Sequence, residues 1–125
     1  YLNLYGQAEC GPSGSVLEGD PQLRIPVSVE LLNSAPSETF IVRATGDSMK
    51  PRIYPGDLVI AKMTNYADDG EVVVCVNNRM TLIKQIRKTN KGLMLVSFNE
   101  NFEPFEASED FRVEGVVKGF ISYQV

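Results

Sequence analysis

Histidine is missing from this 125-residue chain, and so is tryptophan. Without an imidazole, a Ser-His-Asp triad cannot be assembled within it. Cysteine is scarce: Cys10 and Cys75 do not make a disulfide framework. No close cysteine pair and no histidine leave no ligand set for zinc. A Gly-rich phosphate loop is lacking, and no cofactor is implied. No apolar run approaches the about 18 residues of a membrane span, and no signal-peptide pattern is present. Positive charge is in deficit, with a formal net charge of −4. That argues against nucleic-acid binding by this stretch itself and against attraction to a membrane surface.

What is present reads as one β-rich domain. Apolar residues make up 43% of the chain, enough for a single core. Leu23-Arg-Ile-Pro-Val-Ser-Val29 alternates, and Pro26 suggests a sheet edge. Leu31 to Ser37 reads as a helical turn or loop before the Phe40-Ile-Val42 strand. Asp57-Leu-Val-Ile-Ala61 follows a Pro55-Gly56 turn. Glu71 to Val76 is strongly β-branched. Asn77-Asn78 fits a two-residue hairpin loop into a Met80–Ile86 strand, because asparagine tolerates positive φ. Leu93 to Phe98 and a long final strand, Phe111 to Ile121, complete the pattern. Short strands at regular spacing argue for an all-β sandwich or barrel.

The amino-terminal part differs. Gly6, Gly11, Pro12, Gly14, Gly19 and Pro21 break regular structure. Tyr1-Leu-Asn-Leu-Tyr5 can form a short strand. Residues 1–22 therefore read as an arm or linker, and residues 23–125 as the folded domain. The chain opens on tyrosine rather than methionine, which suggests a piece of a longer protein.

One serine stands out. Arg43-Ala-Thr-Gly-Asp-Ser-Met-Lys-Pro-Arg52 offers Ser48 behind Gly46, at the end of an apolar strand. Glycine allows backbone angles that bring the following hydroxyl to a surface cleft. A serine hydroxyl needs a base, and with no histidine the base is a lysine or a carboxylate. No Ser-x-x-Lys occurs, so the penicillin-binding-protein arrangement is excluded. Lys84 is the candidate, flanked by Leu82, Ile83 and Ile86. Apolar neighbours desolvate an ammonium and lower its pKa. An ordinary strand lysine with its ammonium in water is the plainer alternative.

Gly46-Asp-Ser-Met49, Tyr54-Pro-Gly-Asp-Leu-Val-Ile60 and Thr81-Leu-Ile-Lys-Gln-Ile86 together resemble the self-cleaving LexA-like domain (peptidase family S24). That family includes SOS repressors, phage repressors and UmuD polymerase subunits. Ser48 and Lys84 are 36 residues apart, close to the family's spacing. Ala8-Glu-Cys-Gly-Pro12 looks like its scissile site, with the cut between Cys10 and Gly11. The resemblance runs from about Tyr5 to the C-terminus.

The resemblance implies a distorted, mostly antiparallel β fold shared with bacterial signal peptidase. It implies a Ser48–Lys84 dyad acting on the chain's own arm, with Asp47 and Met49 in the cleft and oxyanion neighbourhood. Asp47 reads rather as a turn residue whose side chain accepts hydrogen bonds, and Met49 equally as core. It further implies a cytoplasmic homodimer of bacterial or phage origin, activated by the RecA–single-stranded DNA filament. DNA would be bound only through a missing N-terminal domain. The apolar Val113, Val116, Val117, Phe120 and Ile121 are the expected dimer surface. A UmuD-like polymerase subunit shares the chemistry, and a non-enzymatic β binding module is the alternative of another class. A signal peptidase would need a membrane anchor. The acidic run Glu100 to Asp110, with its phenylalanines, reads as a solvated loop pinned by aromatics rather than a partner surface.

Overall fold

The apolar runs become strands in the structure, a computed structural model that describes residues 1–6, 23–27 and 35–122. The strands are β1 (Leu2–Gly6), β2 (Leu23–Ile25), β3 (Thr39–Arg43), β4 (Leu58–Met63), β5 (Val72–Asn77), β6 (Met80–Thr89), β7 (Gly92–Val96), β8 (Phe105–Glu106) and β9 (Arg112–Ile121). They form one open sheet in the order β2-β1-β3-β4-β9-β5-β6-β7-β8. The parallel pair is β1 with β3, and the other pairs are antiparallel. The all-β, mostly antiparallel expectation therefore holds. A 3-10 turn at Pro36–Glu38 is the one helical element among the described residues. None of their helices is long and apolar enough to cross a membrane.

Three side-chain clusters explain why the central strands are apolar without a break. Successive residues of a strand point to opposite faces. In β3, Phe40 and Val42 pack in one cluster while Ile41 packs in another. In β4, Val59 and Ala61 join the first, and Leu58 and Ile60 the second. In β5, Val74 faces the cluster of Phe40, while Val73 and Cys75 enter a third with Ile86, Leu95 and Val113. Both faces of these strands are covered, so polar alternation is lost.

Two details differ from expectation. The β5–β6 loop is Asn78-Arg79, one residue later than Asn77-Asn78, because Asn77 pairs with Met80. Both loop residues have positive φ, 52° and 65°. Asp110 fixes this register by accepting from the N–H groups of Asn78 and Arg79, each at 2.7 Å. Asn77 is held in the strand by accepting from Ser108 N–H at 2.7 Å.

The second difference concerns β9. It lies between β4 and β5, so its backbone edges are paired. Val113 and Val116 are buried in the third cluster, so they cannot supply a dimer surface. Phe120 remains exposed at 42%. In the acidic loop, Phe98 and Phe111 pack against the core, whereas Phe102 and Phe105 are exposed.

Candidate active site

Ser48 sits in the turn that leaves β3. Gly46, at φ 71°, makes the bend that reverses the chain before the serine. Met49 then anchors the turn: it is buried in the Phe40 cluster and accepts from Ile53 N–H at 2.9 Å. Met49 thus serves as core. Asp47 behaves as a turn residue, its carboxylate paired with Lys50 at 3.0 Å and its carbonyl accepting from Lys50 N–H. The Tyr54–Asp57 turn closes the loop. The buried Asp57 carboxylate accepts from Tyr54 N–H at 2.9 Å, and the Asp57 carbonyl from Ala44 N–H at 2.9 Å. Ser48 itself is half-buried.

Lys84 sits in mid-β6, paired with Val73 of β5. It is only 6% exposed, so the plain reading of a strand lysine with its ammonium in water does not apply. Its Nζ donates to Ser97 Oγ at 2.8 Å, and the Phe102 ring centroid lies 6.0 Å away. Among the described residues no carboxylate pairs with it. Burial pushes the Lys84 amine below its ordinary value, and the Cys75 thiol opposes that shift. A buried lysine with one neutral partner is a candidate proton acceptor, because its charged form carries the desolvation penalty.

No hydrogen bond joins Ser48 to Lys84 among the described residues. They meet instead on a third segment. Asn99 N–H donates to the Ser48 carbonyl at 2.9 Å, and Asn99 Nδ2 to the Asp47 carbonyl at 3.1 Å. Two residues earlier, Ser97 holds Lys84. Two residues span at most about 7 Å of chain, so serine turn and lysine flank one short strip. Sequence reasoning missed Ser97 and Asn99. It ran a strand from Leu93 through Phe98, whereas β7 ends at Val96 and the chain turns there. Cys10 and Gly11 lie outside the described residues. Likewise, no group of three metal-ligating side chains occurs among the described residues.

A mostly antiparallel sheet thus brings a serine turn and a buried lysine, with no carboxylate partner among the described residues, to one strip. The chain belongs to the Peptidase S24-like family, whose pattern it matches over residues 3–118. It is 30% identical over 117 residues to the LexA repressor of Dechloromonas aromatica, covering 86% of this chain and 58% of that protein. Against the LexA repressor of Alcanivorax borkumensis it is 29% identical over 126 residues, covering 94% and 61%. With that of Carboxydothermus hydrogenoformans it shares 30% over 124 residues, covering 96% and 59%. The chain thus spans about three fifths of the length of these relatives.

Proposed function

We propose that this chain is the self-cleaving C-terminal part of a LexA-type repressor, with Ser48 as nucleophile and Lys84 as base. The burial of Lys84 without a carboxylate partner carries this reading. Neutral Lys84 takes the Ser48 proton as Ser48 Oγ attacks the carbonyl carbon of Cys10. Backbone N–H groups around Ser48 hold the oxyanion. The Cys10–Gly11 bond then breaks, and Lys84 returns the proton to the Gly11 amine. Water hydrolyses the acyl ester on Ser48. In this scheme the segment around Cys10–Gly11 is the substrate arm; Leu2–Gly6, read from the sequence as part of that arm, is strand β1 of the sheet, with Leu2 and Leu4 buried.

Because arm and cleft share one chain, their effective concentration is high. Control is therefore conformational: a partner accelerates cleavage by binding the arm-docked state better. By the LexA resemblance that partner is the RecA–single-stranded DNA filament, in a bacterial cytoplasm. The same resemblance assigns DNA binding to a separate N-terminal domain and assembly to a homodimer. The repressor reading is preferred to a UmuD-like subunit because the relatives above are LexA repressors.

The test is a gel time course of the intact chain from neutral to strongly alkaline pH. Cleavage should accelerate with pH, level off above one apparent pKa, and not depend on protein concentration. A fragment beginning at Gly11 should appear. Ser48→Ala and Lys84→Ala should each abolish it in a folded chain. Cleavage at the normal rate in Lys84→Ala would remove the lysine from the mechanism.

A further inference from the structure

We propose that Ser97 and Asn99 act as a clamp that positions the two catalytic partners, Ser97 through Lys84 Nζ and Asn99 through the carbonyls of Asp47 and Ser48. The proposal rests on the Ser48–Lys84 reading above. A lysine amine ends a flexible four-carbon stem and has no preferred direction of its own. To accept the Ser48 proton its lone pair must face that hydroxyl. One N–H given to a fixed acceptor removes most of the freedom, and Ser97 Oγ is that acceptor at 2.8 Å. Ser97 is itself buried, at 8% exposure. A hydroxyl suits the task, because a carboxylate there would hold the lysine charged.

Asn99 does the corresponding work on the other side. Its backbone N–H and its Nδ2 hold two successive carbonyls of the serine turn. Its Oδ1 accepts from Asn101 N–H at 3.0 Å, which fixes the amide in that orientation. Phe102 N–H donates to the Asn99 carbonyl at 3.0 Å and brings the Phe102 ring over the amine. Thus the residues 97–102 grip both partners, and a shift of either grip changes the Ser48–Lys84 separation. A misplacement of 1 Å in such a pair costs up to about 100-fold in rate.

The experiment is the pH profile of self-cleavage of the intact chain carrying Ser97→Ala, Ser97→Thr or Asn99→Ala. Ser97→Ala should lower the plateau rate about 10- to 100-fold. It should also move the inflection to lower pH, because the ammonium loses a charge-assisted acceptor. The titratable group facing Lys84 from the neighbouring strand is Cys75, left intact in all three variants. Ser97→Thr keeps the hydroxyl and should restore both plateau and inflection. Asn99→Ala should lower the plateau and leave the inflection in place, since the side chain it removes holds the Asp47 carbonyl and the Asn101 N–H but does not touch Lys84, and the backbone bond to Phe102 stays. Should Ser97→Ala fail to fold, Ser97→Cys takes its place, sulfur being a weak acceptor of similar size. An unchanged profile in Ser97→Ala, or a loss that threonine does not restore, overturns the clamp. Lys84→Ala is run alongside. If it still cleaves, the dyad reading fails; if it does not and the Ser97 profile is unchanged, only the clamp fails.

Discussion

Lys84→Met, made in a Ser48→Ala background so that the chain stays whole, should stabilise the fold while leaving no base. Methionine keeps the length and apolar stem of lysine and removes the charge. In the structure the ammonium is buried, with Ser97 Oγ as its hydrogen-bonded partner and no carboxylate paired to it among the described residues. Removing a buried ion relieves a penalty of several kcal/mol, whereas losing the Ser97 bond and orphaning its hydroxyl costs about 1–3 kcal/mol. The expected net gain is about 1–2 kcal/mol near neutral pH.

The sign of the pH dependence sharpens this. Folding lowers the Lys84 pKa from its ordinary 10.5, so the unfolded chain binds the proton more tightly. Below the folded value both states are protonated and the penalty is fully present. Between the folded value and 10.5 the unfolded chain holds more protons, and stability rises with pH. The Met variant lacks this slope, so its advantage should shrink as pH climbs toward 10.5. The assay is urea unfolding of the paired proteins at several pH values with matched m-values. A Met variant less stable at every pH, by a constant amount, would mean that the ammonium is well solvated and the desolvation argument wrong.

Other positions test the fold. A Cβ at Gly115 would lie 2.7 Å from Phe40 Cε1 and 2.8 Å from the Lys62 carbonyl. Gly115→Ala should therefore cost about 1–3 kcal/mol by overpacking, seen as a lowered thermal midpoint. Arg79→Gly relieves the left-handed strain at φ 65° and should stabilise the β5–β6 hairpin by about 1 kcal/mol in denaturant unfolding. Asp110 has its carboxyl held below its usual range, chiefly by the Ser108 hydroxyl and the Arg79 N–H. Its contribution is present above 3.8 and is lost as pH falls through the lowered folded value. The protection of Asn78 and Arg79 N–H from exchange, relative to their intrinsic rates, should fall over that acid range, and in Asp110→Ala at neutral pH.

Much of the fold was legible because turn chemistry and apolar runs agree. Pro26 marked β2 as an edge, and β2 is terminal in the sheet. Pro55-Gly56 preceded β4, with Gly56 at φ 92°. The misplacement of the hairpin loop has a tertiary cause. Asparagine was expected to take the left-handed angles, but Asp110, 31 residues beyond Arg79, decides which N–H groups face outward. The role of β9 was hidden for a similar reason: an apolar strand near the terminus looks the same whether it is central or an interface. In the site, Ser48 and Lys84 carried chemical signals in their own surroundings. Ser97 and Asn99 did not, since a serine and an asparagine after an apolar run read as an ordinary strand exit.

A lysine base also constrains how the proposed reaction is switched. An amine in water titrates near 10.4 and is almost fully protonated at neutral pH. Burial moves Lys84 in the useful direction, and the ring nearest its amine is Phe102, itself 44% exposed. Exposed rings change rotamer readily, and when Phe102 does so water can reach the amine from that side. An arm lying across the cleft would exclude that water, bringing the Cys10 carbonyl to Ser48 and the Lys84 amine to its neutral form in one event. Substrate docking and base activation would then be coupled, and departure of the cut arm would let the ammonium re-form. On this reading the enzyme needs no inhibitory residue to stay silent. It requires only that the arm spends most of its time elsewhere, and an activator acts by changing that fraction. The clamp residues would set the ceiling rate and the arm equilibrium its working fraction. Ser97→Ala and a strong activator should therefore act multiplicatively, not in competition.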